Sequence, residues 1–121
     1  MARVFLDANY FIGLANRAPE VDTTILDKHQ VFVSALSCHI LFYVNKIKVP
    51  DKETNYFISD FNLIGMNLNI LNKAGLGPTT DFEDNVQLHS AAYAECDIFL
   101  TSDKQLLSMR FFGKTKITNS L

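Results

Sequence analysis

The sequence lacks several features that would mark a secreted or membrane-spanning protein. It contains only 2 cysteines, Cys38 and Cys96, which lie far apart and outside any CxxC motif. We therefore expect two free thiols in a reducing compartment, the cytoplasm. The longest uncharged stretch, residues 31–45, is shorter than the roughly 20 residues that a membrane span needs. A secretory signal is not expected either, because Asp7 interrupts the first apolar run.

An excess of positive charge is also absent. The chain has 11 Lys and Arg against 13 Asp and Glu, for a formal net charge of −2. This balance excludes a nucleic-acid binder with a broad basic surface, but it allows an enzyme with a local basic rim. Lys104, Lys46, Lys48 and Arg17 are candidates for that rim, although each is also explained as an ordinary solvated side chain.

What the sequence does contain is enough apolar material for one core. The chain has 121 residues, of which 48% are hydrophobic, and it shows no repeats. We therefore predict a single domain over residues 1–121. Short apolar runs that alternate with amphipathic segments predict strands at 3–7, 30–34, 67–71 and 97–102, an edge strand at 115–118, and helices at 8–17, 21–29, 34–48, 51–66, 81–96 and 104–109. This alternation indicates an α/β fold, a three-layer α/β/α sandwich around a mainly parallel sheet.

Acidic residues stand where predicted strands end. Asp7 closes the run VFL, and Asp103 closes the run IFLTS. Because the carboxyl ends of parallel strands meet at one edge of a sheet, both side chains are expected at the same crevice. A single aspartate at a strand end is usually a turn or cap residue, so the coincidence matters more than either position alone.

The segment TDFED at 80–84 has two explanations. Thr80 followed by Glu83 matches a capping box, and Asp81 also suits the start of a helix. Asp84 lies too far into the helix to cap it, and it continues the row of Leu88 that faces the sheet. A carboxylate in that row is costly to desolvate unless a cation compensates it. Asp81 points to nearly the same side, so it remains open as a cap or an additional ligand.

Carboxylates gathered at one crevice repel each other strongly. Two like charges about 4 Å apart cost around 4 kcal/mol at an effective dielectric constant near 20. Such a site either takes up protons or binds a cation. Oxygen ligands select a hard ion, and we therefore predict Mg²⁺ or Mn²⁺ as the cofactor of a site formed by Asp7, Asp84 and Asp103, to which Asp81 is a possible additional ligand.

Four stretches together resemble the PIN-domain nucleases, a family that includes many toxins of toxin–antitoxin pairs. They are VFLDANYF at 4–11, VFVSALSCHILFYV at 31–44, DFEDNVQLHSA at 81–91 and FLTSDKQLL at 99–107. The resemblance implies a PIN-like fold and a Mg²⁺- or Mn²⁺-dependent endoribonuclease that cleaves single-stranded RNA to 5′-phosphate and 3′-hydroxyl ends. It also implies an antitoxin protein as partner and a homodimer.

The resemblance assigns roles to individual residues. Asp7, Asp84 and Asp103 match the family's core acidic positions and are the expected catalytic and metal-binding residues. Asn9 and Thr101 match polar positions beside them, and we expect both, with Ser34, to support the ligands by hydrogen bonds.

One position departs from the family pattern. The acid expected in the helix after the second strand is replaced by Ile40, and its neighbour His39 is a poor Mg²⁺ ligand. The alternative is therefore a PIN-like domain with a degenerate site that binds RNA or protein without catalysis.

Two other α/β classes are excluded. A phosphorelay receiver needs paired acids at the first strand, where Ala8 follows Asp7, and a haloacid-dehalogenase-type phosphatase needs an acid at Asn9.

Overall fold

The computed structural model describes residues 1–121 except for the side chain of Ile25. Its strands are β1 (Arg3–Leu6), β2 (Gln30–Ser34), β3 (Asn62–Ile64), β4 (Ile98–Leu100), β5 (Phe111–Phe112) and β6 (Thr115–Thr118). Its helices are α1 (Ala8–Ala15), α2 (Ile25–Lys28), α3 (Ala35–Val44), α4 (Lys52–Ile58), α5 (Leu68–Ala74), α6 (Phe82–Tyr93) and α7 (Lys104–Met109).

The strands form one six-stranded sheet in the order β3-β2-β1-β4-β6-β5. Every neighbouring pair is parallel except β5 with β6, which is antiparallel. Strand β1 lies inside the sheet, where Val4 pairs with Val31 on one side and with Ile98 on the other. The predicted α/β class with a mainly parallel sheet is therefore confirmed.

Both faces of the sheet are covered by helices, as an apolar parallel sheet requires. On one face Val4 and Leu6 pack in a core with Phe11 of α1 and Leu41 of α3. On the other face the rings of Phe5, Phe32 and Phe99 pack in a core with Leu88 of α6 and Leu106 of α7. Successive residues of β1 thus serve opposite cores, and the three-layer arrangement is confirmed.

The predicted elements between residues 51 and 74 are partly wrong. The helix predicted over 51–66 ends at Ile58, and Asn62–Ile64 forms strand β3 instead. The strand predicted over 67–71 is the start of helix α5, because the side chain of Asn67 accepts a hydrogen bond from Ile70 N and caps that helix. A short apolar run has no periodicity that distinguishes a strand from a helix, so the caps and the pairing decide.

Two further segments differ from prediction. Strand β6, predicted as an edge strand, lies between β4 and β5. The helix predicted over 21–29 is limited to Ile25–Lys28. Within the described part of the chain, no helix has the length and apolar character needed to cross a membrane.

Candidate active site at the carboxyl edge of the sheet

Helices begin at the carboxyl edge of the sheet, and aspartates cap three of them. Asp7 Oδ1 accepts a hydrogen bond from Ala8 N at 2.8 Å, and Asp103 Oδ1 accepts one from Gln105 N at 2.8 Å. Asp81 Oδ1 accepts one from Asp84 N at 2.9 Å. The cap of α6 is therefore Asp81, and the predicted capping box of Thr80 with Glu83 is wrong. These bonds hold each aspartate at the start of its own helix, where the helix dipole favours negative charge.

The crevice lies at the point where the connections of the sheet change direction. From β1 the chain passes to β2 on one side of it, and β4 later pairs on the other side. Ligand sites of parallel sheets are formed at such switch points, beyond the carboxyl ends of the strands. Asp7 follows β1 directly and Asp103 follows β4, so both acids border this crevice.

Thr101 connects the two strand ends. Its Oγ donates a hydrogen bond to Asp7 Oδ2 at 2.8 Å and accepts one from Asp103 N at 3.0 Å. Both Thr101 and Asp7 are buried, at 0% and 5% exposure. The hydroxyl therefore fixes the orientation of the Asp7 carboxylate relative to the turn that carries Asp103.

Asp84 reaches the crevice because α6 covers the same face of the sheet. Leu88, one turn further along α6, packs in the core with Phe5 and Phe99. Asp7 and Thr101 stand two residues beyond those rings on their strands, so strand alternation places them on the same face. A row that begins with Asp84 and continues with Leu88 consequently places the Asp84 carboxyl group on this face of the sheet, within electrostatic reach of Asp7.

Burial and neighbouring carboxylates both raise pKa values in this crevice. Burial, followed by the charges of Asp81, Asp7, Asp103 and Glu83, raises the pKa of Asp84 to about 6. Burial also raises the pKa of Asp7, against the hydrogen bonds from Thr101 and Ala8 that lower it. The pKa of Glu83 is raised by burial and by Asp81 and Asp7. The charges that act on these three pKa values are all negative.

The donor set suits a hard divalent cation, since it consists of carboxylate oxygens with a shared negative potential. Among the described residues, however, no group of three or more His, Cys, Asp or Glu side chains is placed so that it could hold a metal ion. Binding would require side chains to turn toward one another. Asp81 is exposed and Asp84 and Asp103 are half-buried, so all three have room to do so.

The supporting residues differ in their relation to the site. Ser34 is fully buried and its Oγ accepts a hydrogen bond from Leu36 N at 3.1 Å, which caps α3 as predicted. Asn9 is exposed in the first turn of α1. Ile40 is half-buried and His39 exposed, so the helix after β2 adds no carboxylate at the position where the family pattern has one.

Most of the predicted basic rim lies elsewhere. Helices α1 and α3 start at the carboxyl edge, and Arg17, Lys46 and Lys48 lie beyond their other ends. Those ends are joined by a hydrogen bond of 2.8 Å from Asn45 Nδ2 to Asn16 Oδ1. Of the four candidates, only Lys104, exposed at the start of α7, stands beside an acid of the crevice.

Two buried polar residues of α6 were missed by the sequence analysis. Asn85 bonds to the loop before the helix, and Gln87 Oε1 accepts a hydrogen bond from Ser37 Oγ at 3.2 Å. Gln87 Nε2 has no hydrogen-bond partner within the described part of the molecule. The sequence offers one indication of them. Polar residues continue past the first turn of the helix, at positions where a helix packed between two neighbouring elements would be expected to have apolar residues.

The raised pKa of Asp84 predicts a pH-dependent stability difference. A carboxyl group whose pKa is raised by folding favours the folded state while it is protonated, and this contribution is lost as the pH rises from the ordinary 3.8 through about 6. In a metal chelator at pH 8, the free energy of unfolding of Asp84→Asn should be about 1 kcal/mol higher than that of wild type, after allowance for solvent screening. At pH 3 the two free energies should be equal. Urea titration at both pH values measures this. Asp60→Asn, an exposed aspartate before β3, is the control, and equal gains in both variants would contradict the assignment.

Comparisons with known proteins place the fold. No protein-family model matches this chain, and no curated protein matches it in sequence. Among solved structures, the chain is similar to Mycobacterium tuberculosis VapC20, described as a Sarcin-Ricin loop cleaving toxin, with a TM-score of 0.64 and 9% sequence identity. The match covers 93% of this chain and 98% of the toxin. The chain therefore has the PIN-like fold of a VapC toxin.

Proposed function

We propose that this protein is a Mg²⁺- or Mn²⁺-dependent endoribonuclease of single-stranded RNA and the toxin of a toxin–antitoxin pair. The observation that carries the proposal is the gathering of carboxylates at the switch point of the sheet. Burial, followed by the charges of neighbouring acids, raises the pKa of Asp84 and of Asp7, and Asp103 is among those acids in both cases. The similarity to an RNA-cleaving toxin over nearly the whole chain supports the same reaction class.

In this proposal Asp7, Asp84 and Asp103 are the catalytic acids, and together with Asp81 they hold the metal. A bound divalent ion would supply an activated water and neutralise charge on the phosphate. Asp7 is the principal ligand because Thr101 fixes its carboxylate and its burial limits its motion. Thr101 supports Asp7 directly, Ser34 caps the neighbouring helix α3, and Asn9 is an exposed polar side chain in the first turn of α1.

The same proposal includes partners and location. A ribonuclease of this kind would need an antitoxin protein that restrains it, and we propose that it acts as a homodimer in the cytoplasm, where its RNA substrate is found. The negative charge of the chain is compatible with this role if the RNA backbone meets local cations such as Lys104 rather than a broad basic face.

A non-catalytic PIN-like module remains the second candidate. Ile40 removes one carboxylate from the expected set, and no described group of three acids is preassembled. The active site is preferred because burial and neighbouring carboxylates raise the pKa of Asp84 and of Asp7, and negative charge in such a place is costly to maintain unless a cation is bound in use.

Cleavage assays separate these two functions. Single-stranded and fully paired RNA of one sequence are incubated with the purified protein in Mg²⁺, Mn²⁺ or a chelator. The proposal expects cleavage of the single strand with either metal, none with chelator, and products that carry a 5′-phosphate. Binding of RNA without metal-dependent cleavage would establish the non-catalytic module instead.

A further inference from the structure

We propose that Asn85 is a positioning residue that holds the backbone of the candidate ligand Asp81 in place, at the first turn of α6, through the loop over residues 75–80. This inference rests on the proposed function. Asn85 follows Asp84 directly, but its side chain is turned about 100° around the helix axis from that of Asp84. It therefore bonds to the loop rather than to a substrate in the crevice.

The Asn85 amide uses all its hydrogen-bonding capacity on the two ends of this loop. Its Nδ2 donates to Ala74 O and to Thr79 O, each at 2.9 Å. Its Oδ1 accepts from Thr79 N at 2.9 Å and from Thr79 Oγ at 2.6 Å. Asn85 is 3% exposed; its bond to Ala74 O is buried, and its three bonds to Thr79 are half-buried. One amide thus joins the end of α5 to the residue that stands two positions before Asp81.

Thr79 passes this constraint on to the acids. Its Oγ accepts a hydrogen bond from Asp81 N at 3.1 Å, and Asp81 Oδ1 accepts one from Asp84 N at 2.9 Å. The connection runs from Asn85 through Thr79 and Asp81 and returns to α6 at Asp84. The bond from Asp81 N to Thr79 Oγ fixes the backbone of Asp81, whereas the bond from Asp84 N to Asp81 Oδ1 is the one that opens when the carboxylate turns toward a cation.

The acids need this constraint because they repel each other. The charge of Asp81 raises the pKa of both Asp84 and Glu83, so Asp81 and these two carboxylates repel each other. Asp84 is fixed by the helix itself, whereas Asp81 stands at the end of a loop. Besides Asn85, a side chain that holds this loop is His89, whose Nε2 lies 2.9 Å from Gly77 O, further from the acids. A neutral amide holds the loop without adding charge to the site.

The test compares two ways of breaking the connection with a conservative variant and a distant control. Asn85→Ala removes the whole link, whereas Thr79→Val removes only the hydroxyl in a side chain of the same shape. Thr79→Ser keeps the hydroxyl. Thr115→Val is the control, because it deletes a buried hydrogen bond of 2.8 Å to Cys96 O near the opposite edge of the sheet. Mn²⁺ binding, RNA cleavage and amide hydrogen exchange are measured for each variant.

Asn85→Ala and Thr79→Val are expected to weaken Mn²⁺ binding by about tenfold and to lower kcat by a similar factor with KM for RNA unchanged. The amides of Asp81 and Asp84 should exchange faster in both variants, in chelator as well as in metal. Thr79→Ser should behave like wild type in all three measurements. Thr115→Val should lose thermal stability but keep its affinity for Mn²⁺ and the slow exchange of both amides.

The possible results separate this inference from the proposed function. Suppose that wild type binds Mn²⁺ and cleaves RNA, and that Asn85→Ala and Thr79→Val have the same Mn²⁺ affinity and cleavage rate as Thr115→Val. The positioning role is then wrong and the proposed function stands. If wild type neither binds Mn²⁺ nor cleaves RNA, the proposed function is wrong and the positioning role falls with it. If Asn85→Ala does not fold, the comparison of Thr79→Val with Thr79→Ser decides.

Discussion

Replacing Asp7 with asparagine is expected to reduce RNA cleavage by roughly a thousandfold or more while the protein stays folded. Asp7 is the buried acid of the crevice, and the proposed site depends on its negative charge to hold the cation. An asparagine side chain has nearly the same shape but carries no charge. The loss should therefore appear in kcat, and added Mg²⁺ or Mn²⁺ should not restore it.

The fold should tolerate this change because the hydrogen bonds of Asp7 can be kept. An asparagine Oδ1 can still accept from Ala8 N, and asparagine caps helices as well as aspartate does. The Thr101 hydroxyl, which now donates to Asp7 Oδ2, can rotate and accept from the new amide. Burial raises the pKa of Asp7, so removing the charge should leave the melting temperature unchanged or higher at pH 8.

A matched control is available at another helix start. Asp51 caps α4 through Thr54 N at 3.1 Å, and Thr54 lies beside Asn45 and Arg17 at the far ends of α1 and α3. Asp51→Asn makes the same chemical change at a cap outside the crevice and should cleave RNA like wild type. Full activity of Asp7→Asn, or an equal loss in Asp51→Asn, would refute the assigned role of Asp7.

Divalent cations should stabilise wild type strongly. At a free concentration about 100 times its Kd, a ligand that binds only the folded state adds about 2.7 kcal/mol to the free energy of unfolding. For a domain of this size that corresponds to a rise in melting temperature of roughly 10 °C. Thermal unfolding in Mn²⁺ and in chelator measures the shift, and Asp7→Asn and Asp84→Asn should each lose most of it.

The stabilisation should also depend on pH. Since the pKa of Asp84 is raised to about 6, protons compete with the cation below that value. At a fixed Mn²⁺ concentration the shift in melting temperature should be large at pH 8 and should decline through pH 6 toward pH 5. Asp51→Asn should keep the full shift at pH 8. The absence of any metal-dependent shift in wild type at pH 8 would favour the non-catalytic module.

Much of this architecture could be predicted because it is encoded locally. The apolar runs that became β1, β2 and β4 are bounded by polar residues, are rich in β-branched and aromatic side chains, and are shorter than a typical helix. The strands alternate with helices, which left parallel pairing as the simplest topology. The position of Asp7 directly after β1 then placed it at the carboxyl edge without any knowledge of contacts.

Residues 58–74 show where local information is insufficient. The run NLNIL was predicted as a strand and starts α5, while Asn62–Ile64, predicted as helix, pairs with β2. Runs of this length have no decisive periodicity, so the choice depends on a cap at Asn67 and on a free edge beside β2. Both are properties of the folded chain.

The sequence by itself determined the α/β class, the parallel sheet and the aspartates at the strand ends, because periodicity and strand polarity are local properties. Only the tertiary structure decided that Thr101 bonds to Asp7 across 94 positions of sequence, that Asn85 holds the loop before Asp81, and that the pKa of Asp84 is raised to about 6. These features depend on distances between side chains and on the exclusion of water, and both arise only when separate segments are packed together.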